Sequence, residues 1–163
     1  MGSSSISSLP KLALALVVAL LVMVPVALAD ERDEYVAAVE PICKANTEAN
    51  TRILKGIKEQ VQKGDLKPAG QRFIRASTAL GKAVGQIAKV PQPAADATKL
   101  TKWIGYLKSE KSYLQRIGQA LKDENKFKAQ KLAVKLNQNN NKANNTVISF
   151  GFDECRIDSS RFI

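Results

Sequence analysis

Two cysteines, Cys43 and Cys155, stand 112 positions apart in a chain that contains no histidine. They form the strongest chemical constellation in the sequence. As thiolates they would offer a nucleophile or two soft metal ligands, but with no imidazole to act as base or further ligand, carboxylates would have to complete either site. In an exported chain an even pair reads instead as a disulfide. Closing a loop of just over a hundred residues is worth ~4.7 kcal/mol in the chain-entropy model.

Cations are the second resource. The chain holds 25 Lys and Arg against 15 Asp and Glu, a formal charge of +10. The excess is uneven: residues 30–66 carry 6 basic and 8 acidic groups, residues 67–122 carry 11 and 2, and residues 123–163 carry 7 and 5. Lys128, Lys131, Lys135 and Lys142 keep helical spacing with no acid between Lys126 and Lys142. Arg72, Arg75, Lys82, Lys89, Lys99, Lys102, Lys108, Lys111 and Arg116 add to them from the middle of the chain. Such a face suits an anionic envelope polymer or membrane headgroups, and the competing reading is solubility alone. No aromatic interleaving or arginine fork accompanies it, so a specific nucleic-acid reader is not expected. The sequence names no protein partner.

Other candidates for chemistry are thin. Trp103 and Tyr106 lie one helical turn apart and would make a ligand platform, although a lone Trp on a helical stripe is ordinarily core. Asp153, Glu154 and Asp158 cluster without the spacing of a calcium loop. There is no glycine-rich phosphate loop and no telling carboxylate pair, so catalysis would need Asp, Glu or Lys tuned by burial alone. The expectation is a protein that is not an enzyme and carries no metal or other cofactor. Asn137 to Asn145 holds six asparagines in nine positions, a weak helix former read as a solvated face, with sugar or wall-polymer binding as its alternative. Asn144-Asn145-Thr146 also fits the glycosylation pattern, relevant only to a eukaryotic secretory route.

The elements that must position these residues follow from periodicity. Lys11 leads into an apolar run from Leu12 to Leu28, ending Ala27-Leu28-Ala29 in the small-x-small pattern of a peptidase site. Residues 1–29 therefore read as a cleaved signal peptide with Asp30 as mature N-terminus, and the rival is an uncleaved N-terminal anchor helix. Apolar positions at Tyr35, Val39, Ile42, Ala49, Ile53, Ile57 and Val61 predict one long helix. Pro41 should kink it, and Asp30, Glu31, Asp33 and Glu34 should complement the dipole at its start.

Gly64 and Pro68 separate this helix from a second, with stripe Phe73, Ala76, Leu80, Ala83, Val84 and Ile87. Gly81 and Gly85 flank the stripe and would admit a close neighbour if they face inward. Pro91-Gln92-Pro93 ends that helix. Asp96 or Thr98 is expected to cap a third, with stripe Leu100, Trp103, Ile104, Leu107, Leu114, Ile117 and Leu121. A fourth carries Ala129, Leu132, Ala133, Leu136, Ala143 and Val147, and ends by Gly151. Short connections force neighbours antiparallel, so the fold class is all-α: an up-down-up-down four-helix bundle over residues 30–151. The C-terminal tail, 152–163, must then fold back along the bundle for Cys155 to reach Cys43.

Tyr35 through Ile42-Cys43-Lys44, then Pro91-Gln92-Pro93-Ala94-Ala95-Asp96 with Trp103, and Gly151-Phe152-Asp153-Glu154-Cys155 resemble small exported helical proteins and lipoproteins of actinobacteria. That resemblance spans most of the mature chain and implies an exported helical protein; it implies no activity. The lipid-attachment cysteine of the lipoprotein members is missing, since Asp30 stands where it would be. A plant-type secreted inhibitor bundle is a weaker likeness, because its four-cysteine pattern is absent. The expected role is a secreted, non-catalytic binding protein of the cell envelope with a basic surface. An extracytoplasmic small-ligand sensor or enzyme with a pocket near Trp103, and a secreted protein inhibitor, are the alternatives.

Overall fold

The computed structural model describes residues 24–157. Most of the expected signal peptide, residues 1–23 of 1–29, and residues 158–163 of the tail lie outside them. Four long helices are present: α1 (Val24–Leu54), α3 (Leu66–Ile87), α4 (Ala97–Lys122) and α5 (Lys126–Thr146), with a six-residue α2 (Ile57–Gln62) appended to α1. Short 3-10 turns at Ala94–Asp96 and Ile148–Phe150 precede α4 and follow α5. This is the expected up-down-up-down helical bundle, closed by a disulfide between Cys43 and Cys155. Among the described residues no helix is long and apolar enough to cross a membrane.

The single first helix that periodicity predicts is in fact two. Gly56 adopts a left-handed backbone, φ +71°, which a glycine enters without a Cβ clash and which ends α1. Arg72 on α3 secures that break: its Nε donates to the Ile53 carbonyl at 2.7 Å, its Nη2 to the Lys55 carbonyl, and its Nη1 to Gln60 Oε1 at 2.9 Å. Those carbonyls belong to a helix end whose oxygens lack intrahelical partners. Arg72, half-buried, is thus engaged by its own fold.

Other local expectations are corrected. The helix is already formed at Val24 and has Pro41 inside it, so Asp30 to Glu34 lie within it, not at its start. Asp96 does stand at the N-cap of α4, but its side chain makes no capping hydrogen bond. Its buried carboxylate instead accepts from Arg32 Nε and Nη2 at 2.9 and 2.7 Å, and from Lys99 Nζ at 3.4 Å. Arg32 also stands 5.0 Å over the Phe150 ring.

The close helix approach is made by glycines that the apolar pattern did not mark. A Cβ on Gly70 would lie 2.4 Å from the Gly118 carbonyl oxygen, and one on Gly118 would lie 2.6 Å from that of Gly70. Here α3 and α4 touch backbone to backbone. Ser77 continues the seam by donating to the Lys111 carbonyl at 3.0 Å. Gly81 meets only the Lys111 side chain, and Gly85 faces open space.

After Gly151 the chain does fold back. Phe150 and Phe152 stack at 5.5 Å, Phe152 stacks on the fully buried Trp103 at 5.3 Å, and Phe150 meets Tyr35 edge-on. Glu40 on α1 then accepts the backbone N–H groups of Asp153 and Glu154 at 2.7 and 2.8 Å. These contacts bring Cys155 to Cys43. The main helix contacts are α1 with α3, α3 with α4, and α4 with α5. The remaining seam, between α1–α2 and α5, is where the interior stays open.

Candidate functional site

That seam encloses a cavity of about 210 Å³, walled by Leu54, Ile57, Val61, Phe73, Leu114, Ile117, Ala129, Ala133, Leu136 and Ile157. Every long helix and the tail contribute. Lys58, Gln62 and Gln130 also line it and are exposed, which places its mouth between α2 and α5. A second cavity of about 80 Å³ adjoins it, lined by Trp103, Leu107, Ile87 and the Cys43–Cys155 pair. Asn50, Glu110 and Ile157 border both.

Three oxygens on this lining have no hydrogen-bond donor from the protein: Glu110 Oε2, Asn50 Oδ1 and Asn140 Oδ1. All are sealed from solvent. Glu110 as a residue is only half-buried, yet its Oε2 is enclosed and the carboxyl pKa is pushed up to about 8 by desolvation. Charge is costly there because no protein donor stabilises the ionised form. Asn50 directs its Nδ2 away, donating to Asn46 Oδ1 at 3.2 Å one turn earlier, which leaves Oδ1 facing the lining. Buried polar atoms are ordinarily paired in folded proteins, so three unpaired acceptors on one apolar cavity form a candidate site.

The asparagine run is a solvated face only in part: Asn137, Asn141 and Asn145 are exposed, and the other three face inward. Asn139 is buried and donates to the Tyr106 carbonyl at 3.0 Å, tying α5 to α4. Asn140 is 2 % exposed and reaches the cavity. Asn144 exchanges two hydrogen bonds with the backbone of Ile157, each 2.9 Å, and so holds the tail over the cavity. Trp103 is core, as its stripe position implies, and borders only the smaller cavity.

Of the thirteen basic residues expected to form an anionic-partner surface, Arg72 is engaged as described and the other twelve are exposed. Arg116, Lys128, Lys131 and Lys135 gather round one shallow surface groove with Leu132. Phe127 and Val134, 67 % and 59 % exposed, stand among them, and Lys131 Nζ lies 4.2 Å from the Phe127 ring centre. Lys99 is drawn to Asp96 and lies over Phe150, and Lys111 lies along Gly81. Among the described residues no three His, Cys, Asp or Glu side chains are grouped to hold a metal.

Glu110 and Asn50 were not visible as candidates from composition, and Asn140 only as one of the asparagine run, but each sits where a helix stripe should be apolar. Glu110 fills the gap between Leu107 and Leu114, and Asn140 that between Leu136 and Ala143. No family model, curated protein or solved structure matches this chain.

Proposed function

We propose that this chain is an exported, non-catalytic binding protein that holds a small amphipathic molecule within its helical bundle. The observation carrying this reading is the apolar cavity with its three unpartnered acceptor oxygens. An apolar body there would add buried contact, and a polar group on it would satisfy atoms that otherwise destabilise the fold. The disulfide supports the export part of the reading, because such bonds persist in oxidising compartments.

The test is calorimetric titration of the oxidised protein with neutral compounds matched to the cavity, n-hexanol and benzyl alcohol. Saturable one-to-one binding is expected, and Ala133→Leu, which fills the cavity from a half-buried wall position, should abolish it. Failure of these alcohols and of amines and carboxylates of the same size to bind, or equal binding by the filled variant, would refute the reading.

A second role rests on the α5 groove. Exposed Phe127 and Val134 ringed by Arg116, Lys128, Lys131 and Lys135 suit an anionic membrane surface better than a soluble polymer, since apolar side chains can enter the acyl boundary while lysines meet headgroups. Sedimentation with phosphatidylglycerol vesicles should be strong at low salt, weaken steeply as salt rises, and drop several-fold in Phe127→Ser. Equal binding to phosphatidylcholine vesicles would remove it.

A further inference from the structure

Resting on the cavity reading, we infer that the ligand is a primary amine: an ammonium head bound by Glu110, Asn50 and Asn140, with an apolar body of about seven or eight non-hydrogen atoms, taking ~30 Å³ per atom. The head group follows from the sign of the unmet demand. The three unpartnered groups on the larger cavity are oxygens that lack a donor, while the unpartnered indole N–H of Trp103 borders only the smaller one. A primary ammonium offers three N–H donors and no acceptor, which matches them in both number and kind.

Charge selects further. Glu110 is an acid enclosed with no cation hydrogen-bonded to its Oε2. The charged groups that line the two cavities it borders are Lys58 from α2 at the mouth, and Glu154 and Arg156 from the tail. The cavity linings from α1, α3 and α5 are uncharged. A ligand cation would therefore be the counter-charge that Glu110 lacks, and a charge-assisted hydrogen bond in a low-dielectric interior is roughly twice as strong as a neutral one. The opposite orientation is a carboxylate held at exposed Lys58 with its chain inward. It would leave all three oxygens facing hydrocarbon, so it is disfavoured by the same atoms that favour the amine.

Binding has a proton consequence. In the empty protein the raised pKa of about 8 keeps Glu110 mostly protonated at neutral pH. An ammonium that binds the carboxylate must displace that proton to solvent. Amine uptake should thus release close to one proton per site at pH 7, whereas an alcohol should release none.

The experiment uses the full oxidised protein and matched probes of one size: n-hexylamine and benzylamine, n-hexanol and benzyl alcohol, and hexanoate. Calorimetry at pH 7 in two buffers of different ionisation enthalpy reads both affinity and proton release. The amines are expected to bind at least tenfold more tightly than the alcohols, with proton release, and hexanoate more weakly than either. Glu110→Gln should cancel the amine preference and the proton release while still binding the alcohols. Asn140→Leu, which removes a different acceptor, should lower amine affinity several-fold. Alcohols binding as well as amines, or an amine preference that survives Glu110→Gln, would overturn the head-group assignment and leave the cavity reading standing. Binding of none of the five probes would overturn both.

Discussion

Glu110 shows how a single side chain can set the pH behaviour of the protein. Folded, it keeps its proton up to about 8, whereas in the unfolded chain it releases that proton near 4.5. Between these values the folded state binds more protons. The contribution is therefore fully present below about 4.5 and is lost as the pH rises through about 8. Glu110→Gln, neutral throughout, should flatten this dependence. Denaturant unfolding at pH 5, 7 and 9 is expected to show little difference at pH 5 and a variant more stable by a few kcal/mol at pH 9. A parallel shift at all three values would mean that Glu110 ionises freely. None of this was legible in composition, which counts Glu110 merely as one of two acids in a basic segment. The signal lay in register: a glutamate seven residues after Trp103 and four before Leu114 occupies a core position.

Among the helices, the stripes gave the number, order and approximate limits of the long elements, because each needs one buried face and the spacing of apolar residues records it. What the stripes could not record were features made by backbone and by long-range polar contacts. The break after Leu54 depends on Arg72 reaching from α3, and the α3–α4 contact depends on Gly70 and Gly118 facing one another. Glycine has no hydrophobic signature, so Gly81 and Gly85, nearer the stripe, read as more significant than they are. Two alanine substitutions separate the cases. Gly70→Ala must push α4 away from a carbonyl 2.4 Å from the new carbon and should cost about 1–3 kcal/mol or more. Gly85→Ala meets nothing within 4 Å, and should stabilise by about 0.5–1 kcal/mol through helix propensity. Thermal melts of the two variants should move in opposite directions.

Over the whole molecule, the long-range pairing of Cys43 with Cys155 was the most legible feature, and it required the tail to return along the bundle. How the tail returns was not legible, since it rests on Glu40, the stacked Phe150 and Phe152, and Asn144, residues with no shared pattern. These ties are local to one side of the bundle. Reduction of the disulfide should therefore raise amide exchange first across residues 144–157 and the facing turn of α1, with the α3–α4 seam protected longest. Loss of protection at one rate in all the helices would show that the bond acts on the domain as a unit.

Ile157 on the returning tail and Asn50 near the end of α1 line the same cavity. The wall is thus assembled from segments more than a hundred residues apart in the chain. Until the tail has returned along the bundle, the helices are in sequence but the chamber lacks a wall. Under the proposed binding role, ligand uptake would report that return, because the wall is complete only when Ile157 is in place and Cys155 has met Cys43. An occupied chamber should in turn shield that sulfur bridge, so a chain that has found its ligand is also one that resists being opened again.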